Sequence, residues 1–146
     1  MNLFAPMSDR SLFDEATLAS FDAPVEEGRG LPNHCYTDPA WLDLENKRLF
    51  ARTWMLAGFC HDVPEKGDAC PIELAGMPLV LLRDNDGVIR VFHNVCRHRG
   101  AVVVPEPCKG KRLLTCPYHA WAYGLDGSLR SRPHFFGGER HDTNPG

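Results

Sequence analysis

Two short stretches decide how this chain is read: Cys96-Arg97-His98-Arg99-Gly100 and Cys116-Pro117-Tyr118-His119. Each carries one cysteine and one histidine, and 17 residues, 99–115, separate His98 from Cys116. Two thiolates and two imidazoles form a ligand set for a small metal centre. The order of the ligands discriminates further. A zinc finger brings two cysteines first and two histidines afterwards. Here each stretch offers Cys and then His, once with one residue between them and once with two. That order suits a two-iron cluster in which one iron takes both cysteines, Cys96 and Cys116, and the other takes both histidines, His98 and His119. A structural zinc module with the same four ligands is the competing reading, and the order disfavours it.

The words around the ligands go further. HNVCRHRGA at 93–101 and CPYHAWAYGLDGSL at 116–129 resemble the Rieske domain of aromatic-ring-hydroxylating oxygenase α subunits. The resemblance runs from about Tyr36 to Phe135. It includes a helical lead-in ending near Trp54, the Arg-Gly after the first histidine, and Trp121 two residues after the second. It implies an all-β fold of small stacked antiparallel sheets, with a [2Fe–2S] cluster held between two loops at one end. It also implies one-electron transfer. Electrons from NAD(P)H would arrive through a ferredoxin or flavin reductase and leave toward a mononuclear Fe(II) in the catalytic domain of the same or an adjacent α subunit. Aromatic hydrocarbon catabolism by dioxygenation is the setting the resemblance suggests. A free-standing Rieske ferredoxin is the second reading, opposed by the N-terminal arm, the lead-in helix and the Tyr-His-Ala-Trp context. High-potential respiratory Rieske proteins carry an extra cysteine in each cluster loop. The corresponding positions here, Gly100 or a near neighbour and Tyr118, are not cysteine, which points to the low-potential end of the range.

Oxygenases of this family activate O₂ at a second iron held by two histidines and a carboxylate. No such set is legible here. His98 is committed to the cluster, and His134, His141 and Asp142 stand in a Gly/Pro-containing tail. The chain stops where the family continues, so the expectation is an N-terminal portion without oxygenase activity of its own. Around the cluster, Arg99, Gly100, Tyr118 and Trp121 are the expected supporting residues, with Gly100 permitting a positive φ and Trp121 shielding the ligands. His93 reads as a loop or core hydrogen-bonder, and His34, His61, His134 and His141 read as surface residues.

Length and composition agree with this reading. The 146 residues, 43% hydrophobic and 24% charged, suffice for one modest domain and an arm. No apolar run approaches a membrane span, and no basic and apolar leader opens the sequence. Cys35, Cys60, Cys70 and Cys108 show no paired spacing, so they read as ordinary thiols of a cytoplasmic protein. The net charge is −3. It is unevenly spread: residues 1–45 hold nine acids against Arg10 and Arg29, whereas Arg90, Arg97, Arg99, Lys109, Lys111 and Arg112 face only Glu106 between 90 and 119. A basic collar round the cluster would steer an acidic redox partner; the alternative is that these charges only solvate loops or pair with acids elsewhere in a larger assembly. A net acidic chain without a basic stripe argues against nucleic-acid binding.

Along the chain, residues 1–35 read as an arm, with an amphipathic turn or two in Ser11–Phe21 and breakers at Pro24, Gly28, Gly30 and Pro32. The domain proper is expected over 36–135, and 136–146 is a tail or linker. Asp38-Pro39 starts a lead-in helix over 39–52 whose Leu42, Leu49 and Phe50, with Trp54 beyond, are expected in the core. Strands are expected at Trp54–Phe59, Ala69–Leu74, Leu79–Arg83, Val88–Phe92, Lys111–Thr115, Trp121–Leu125 and Ser128–Arg130. Asp84-Asn85-Asp86-Gly87 and Asp126-Gly127 supply the turns.

Overall fold

A computed structural model describes residues 12–133. The chain divides into two compact units, Met1–Asn46 and Lys47–Gly146. Phe135, Phe136, His134, His141 and Asp142 lie outside the described residues, as does the whole of the expected tail, 136–146. No described helix is long and apolar enough to cross a membrane.

The first unit is helical. In α1, Glu15–Phe21, the Asp14 side chain caps the first turn by accepting the Thr17 N–H at 2.7 Å. A four-residue helix, α2, His34–Thr37, follows. Then comes α3, Pro39–Arg48, where Asp38 accepts the Ala40 N–H at 2.9 Å. Phe13 packs on Phe21 and on Trp41, with both ring separations 5.2 Å. The lead-in helix ends earlier than the sequence suggests. It stops at Arg48, and Phe50–Arg52 forms a separate 3₁₀ turn. The apolar residues therefore never line up as one stripe: α3 buries none of its residues, and Leu42, Leu49 and Trp54 are exposed.

The second unit is all-β. Sheet A runs β1 (Ala69–Leu74), β2 (Met77–Arg83) and β3 (Ile89–His93) as an antiparallel meander. Sheet B repeats the plan with β4 (Leu113–Thr115), β5 (Ala122–Gly124) and β6 (Leu129–Ser131). Six of the seven expected strands are present, several trimmed at their ends. Trp54–Phe59 is not a strand, because no neighbouring strand pairs with it. At Gly58 it approaches a side chain of β2 closely, where a Cβ would lie 2.8 Å from a Leu81 methyl. The β2–β3 hairpin is fixed by Asp84, whose buried carboxylate accepts the N–H groups of Asp86 (2.9 Å) and Val88 (2.8 Å) and pairs with Arg90 at 2.6 Å.

The core joins the sheets. Ala69, Val80 and Leu82 of sheet A meet Val104, Leu114 and Leu125, with Phe92 and Val103 packed against them. Truncating a side chain as buried as Leu82 costs about 2–5 kcal/mol. A second buried group, Cys96, Cys116, Trp121 and Tyr123, shares Val103 with the first. The two cysteines singled out by their spacing are thus part of the hydrophobic interior.

Candidate metal centre

Both ligand stretches are loops at strand ends: Cys96 follows β3, and Cys116 follows β4 directly. They share one backbone design. Each cysteine N–H donates to the carbonyl five residues on, Ala101 at 2.7 Å and Trp121 at 2.8 Å. The N–H four residues on donates back to the cysteine carbonyl, from Gly100 at 2.9 Å and from Ala120 at 3.0 Å. That fourth residue has a positive φ in both loops, 72° at Gly100 and 56° at Ala120. Nothing lies within 4 Å of a Cβ built on Gly100, so the backbone angle, not space, accounts for glycine there. Two superimposable frames thus hold their histidines one residue out of step.

The frames bring the four expected ligands together as two pairs. Both cysteines are 2% exposed, whereas both histidines are half-buried. The imidazoles of His98 and His119 lie edge to face with centroids 4.7 Å apart. Burial pushes the Cys96 thiol up. The Tyr123 hydroxyl, the N–H of His98, the Cys116 thiol and the N–H of Arg99 together outweigh burial and take it below its ordinary value. A thiol so surrounded is prepared to be a thiolate. Burial, then the neighbouring His98 and Arg99, lower the His119 pKa and favour the neutral imidazole that a metal requires.

The expected supporting residues make distinct contacts. Trp121 lies flat on His98, 4.8 Å away and 6° from parallel, covering one face of the ring. Tyr118 tilts against His119 at 3.8 Å, with its ring exposed. Arg99 acts on His119 from the opposite loop. A depression of about 740 Å³ opens at the loop tips, lined by His98, Arg99, Cys116, Tyr118, His119 and Trp121.

Tyr123 is a residue at the candidate site that motif spacing alone did not mark. Its hydroxyl lies 3.3 Å from Cys96 Sγ and accepts the Arg97 N–H at 3.0 Å. Burial and then the Cys96 contact push its own pKa up to about 12, so it remains a hydrogen donor to the sulfur. The signal was present as alternation: Trp121 stands just before β5 and Tyr123 within it, two apart, and in an extended stretch residues two apart share a face.

The basic collar is not assembled. Only Arg97 and Arg99 belong to a ligand loop. Lys111 donates its N–H to Gly67, which in turn bonds Arg83 at the far end of β2, and Arg90 is paired with Asp84 at that same end. Lys109, Lys111 and Arg112 precede β4, whose other end leads into Cys116. The strands therefore carry these charges away from the site. All six cysteines are free thiols, with Cys60 exposed and Cys35, Cys70 and Cys108 half-buried.

A [2Fe–2S] cluster fits these residues on two observations. The first is the sulfur pair, buried with backbone N–H groups directed at Cys96. The second is His119 Nδ1, a buried ring nitrogen with no hydrogen-bond partner. A buried acceptor without a partner is costly, and an iron ion is a partner of the right kind. Among the described residues no three His, Cys, Asp or Glu side chains form a group around a single ion. A centre that takes only two protein ligands per iron needs no such group.

Two antiparallel three-stranded sheets presenting paired Cys/His loops define a Rieske-type iron–sulfur domain. The chain belongs to the Rieske [2Fe–2S] domain family, whose sequence profile matches residues 53–136. It is 35% identical over 133 residues to the glycine betaine monooxygenase oxygenase subunit of Chromohalobacter salexigens, covering 86% of this chain and 30% of that protein. A solved quaternary ammonium Rieske monooxygenase, described in terms of carnitine oxidation and inter-subunit electron transfer, matches with a TM-score of 0.66 at 33% identity, over 73% of this chain and 29% of that one. Naphthalene 1,2-dioxygenase from Rhodococcus sp. matches with a TM-score of 0.61 at 34% identity, over 66% and 22%. The chain thus spans between 23% and 30% of the length of the curated relatives it matches.

Proposed function

We propose that this chain is the cluster-bearing part of a Rieske oxygenase subunit and that it transfers single electrons. The observation that carries this reading is the pairing of two buried thiols with two adjacent imidazoles, one of which keeps an unpartnered buried nitrogen. Cys96 and Cys116 would hold one iron, and His98 and His119 the other. The bound cluster would supply reversible one-electron chemistry at about −150 to +300 mV. The protein's contribution is electrostatic and protective. The Tyr123 hydroxyl and the N–H groups of His98 and Arg99 offset negative charge at the Cys96 sulfur, and Trp121 excludes water from one face of His98.

The donor would be a ferredoxin or flavin reductase. Its acidic face would meet exposed Arg97 and Arg99, a smaller cationic surface than a full collar. The acceptor would be a mononuclear iron in a catalytic domain of the same or a neighbouring subunit. The substrate setting shifts from the one first expected. The oxygenase relatives are monooxygenases of quaternary ammonium compounds, and an aromatic hydrocarbon setting has no support from them. The naphthalene enzyme is matched over less of the chain. A quaternary ammonium substrate is therefore the favoured class, with the chemistry performed outside these residues. The lack of a cysteine at Gly100 and Tyr118 keeps the potential toward the low end, and the Tyr123 contact raises it somewhat. A value above about +100 mV would count against the low-potential reading.

The test is reconstitution of the chain with iron and sulfide under exclusion of air, followed by reduction from NADPH through a reductase. Stoichiometric acid-labile sulfide and one-electron reduction are expected. A colourless protein with one tightly bound zinc would refute the reading.

A further inference from the structure

The two ligand loops share their inner frame but not its foundation. Loop 2 stands on paired strands: Thr115 faces Ala122 and Leu114 faces Tyr123 in the β4–β5 ladder. Loop 1 rises from β3, but its descending arm, residues 101–104, belongs to no strand. Something else must tie that arm down.

We infer that the Asn94 side chain serves as the missing strand and is the positioning residue for loop 1. Asn94 is 2% exposed. Its Nδ2 donates to the Val104 carbonyl at 2.7 Å, and its Oδ1 accepts the N–H of Val104 at 2.8 Å. These are the two bonds exchanged by a hydrogen-bonded residue pair in an antiparallel ladder, made here by a side-chain amide in place of a peptide. Oδ1 also accepts the Val103 N–H at 3.1 Å, so all three bonds cross from one arm of the loop to the other. The backbone N–H of Asn94 meanwhile donates to Pro78 at 2.9 Å, continuing the β2–β3 ladder by one step. Asn94 thus fastens the descending arm to sheet A and closes a ring containing Cys96 and His98. Val103, held by this clamp, packs against both buried clusters. In a chain whose loops carry no cross-loop disulfide, an amide clamp of this kind fixes the ligand geometry of one loop only.

The inference rests on the Rieske reading for its consequence at the cluster, but not for its structural part. The test therefore has two readouts in the full chain. In the cluster-free protein, amide hydrogen exchange is followed at Cys96 and Gly100, whose acceptors are not on Asn94, with Cys116 and Ala120 of loop 2 as internal references. Asn94→Ala is expected to speed exchange at Cys96 and Gly100 by about tenfold or more while leaving Cys116 and Ala120 within about twofold. Asn94→Asp keeps the acceptor and turns the donor into a second acceptor facing the Val104 carbonyl, so it should fall between Ala and wild type. It also stands as the deciding variant should Asn94→Ala not fold. Leu82→Ala, a core cavity outside both loops, is expected to affect the two loops alike. In the reconstituted protein, the electron paramagnetic resonance of the reduced cluster should broaden and shift in the Asn94 variants and keep its wild-type shape in Leu82→Ala. Equal acceleration in both loops, or an Asn94 spectrum identical to wild type, overturns the inference. A wild-type protein that takes up no cluster refutes the Rieske reading and leaves the exchange result to judge the clamp.

Discussion

Loop 1 (Cys96–Ala101) and loop 2 (Cys116–Trp121) have the same backbone hydrogen bonds and differ in almost everything attached to them. Loop 1 reaches its positive φ with glycine, and loop 2 with alanine. The loop 1 thiol is contacted by a tyrosine hydroxyl. The loop 1 histidine is stacked on tryptophan, and the loop 2 histidine carries the unpartnered nitrogen. The shared frame places two sulfurs together in the core and two imidazoles together above them. The differences make the two sulfurs, and the two imidazoles, inequivalent. A small domain can therefore present an asymmetric set of candidate ligands on a repeated backbone motif, beneath a single depression of about 740 Å³ at the loop tips.

The comparison breaks most completely at the ligands. Cys96→Ala or Cys116→Ala should each abolish cluster uptake, read as loss of visible absorption and of acid-labile sulfide, because neither sulfur has a substitute nearby. His119→Ala should do the same, whereas His93→Ala should retain the cluster. Retention of a full complement by either cysteine variant would mean that the loops do not act as a pair.

A subtler difference is the hydroxyl given to one sulfur only. Tyr123→Phe should lower the reduction potential on the order of 50 mV, corresponding for one electron to roughly 1 kcal/mol of difference in the hydrogen bond's strength between the two oxidation states. The sign follows from the charge: reduction makes the cluster more negative, so a donor at sulfur favours the reduced form. A rise in potential, or none, would show that the 3.3 Å contact is not an electrostatic one.

The shared turn can be tested by exchanging its fourth residue. Gly100→Ala should cost about 1 kcal/mol in denaturant unfolding, since φ of 72° strains any side chain in otherwise open space. Ala120→Gly relieves a like strain at 56° but frees the unfolded chain, so it should change stability by less than about 1 kcal/mol, in the stabilising direction. If the two substitutions have effects of the same sign, the loops do not share one frame.

The smallest effect is expected away from both loops. At Asp84, burial works against ionisation, but the contacts from Arg90 and the N–H groups of Val88 and Asp86 overcome it and hold the carboxyl below its ordinary value of 3.8. A lowered folded value means stability fully present above the unfolded value and lost as pH falls through the folded one. Asp84→Asn should therefore unfold more readily than wild type at pH 7. The gap should narrow only below about pH 4, with cluster absorption unchanged throughout. A gap independent of pH would place the stabilisation elsewhere.

The candidate site was legible in the sequence because metal ligation would leave few choices: Cys96, His98, Cys116 and His119 are proposed as ligands from residue type and order alone, and the structure brings them together as two pairs. Gly100 and Trp121 were equally readable, one as a backbone requirement and one from its neighbourhood. Tyr123 and Asn94 were not, because a buried hydroxyl or amide is marked by what it touches, and contacts across 10 or 27 residues leave no local pattern. Ala120 hid for a related reason: left-handed backbone announces itself only when the residue is glycine. The sheets were legible wherever turns such as Asp84–Gly87 punctuated them. Trp54–Phe59 misled because strand-like composition cannot report whether a neighbouring strand exists to pair with. The lysines before β4 misled because closeness in sequence to a ligand is not closeness in space when a strand lies between.

The central claim is that two pairs of unlike ligands each hold their own iron. Mössbauer spectroscopy of the reduced protein, reconstituted with isotopically enriched iron, tests it most directly. Two inequivalent sites in equal amounts are expected, a ferric iron held by sulfur and a ferrous iron held by nitrogen. Two equivalent irons, or a single site, would contradict it.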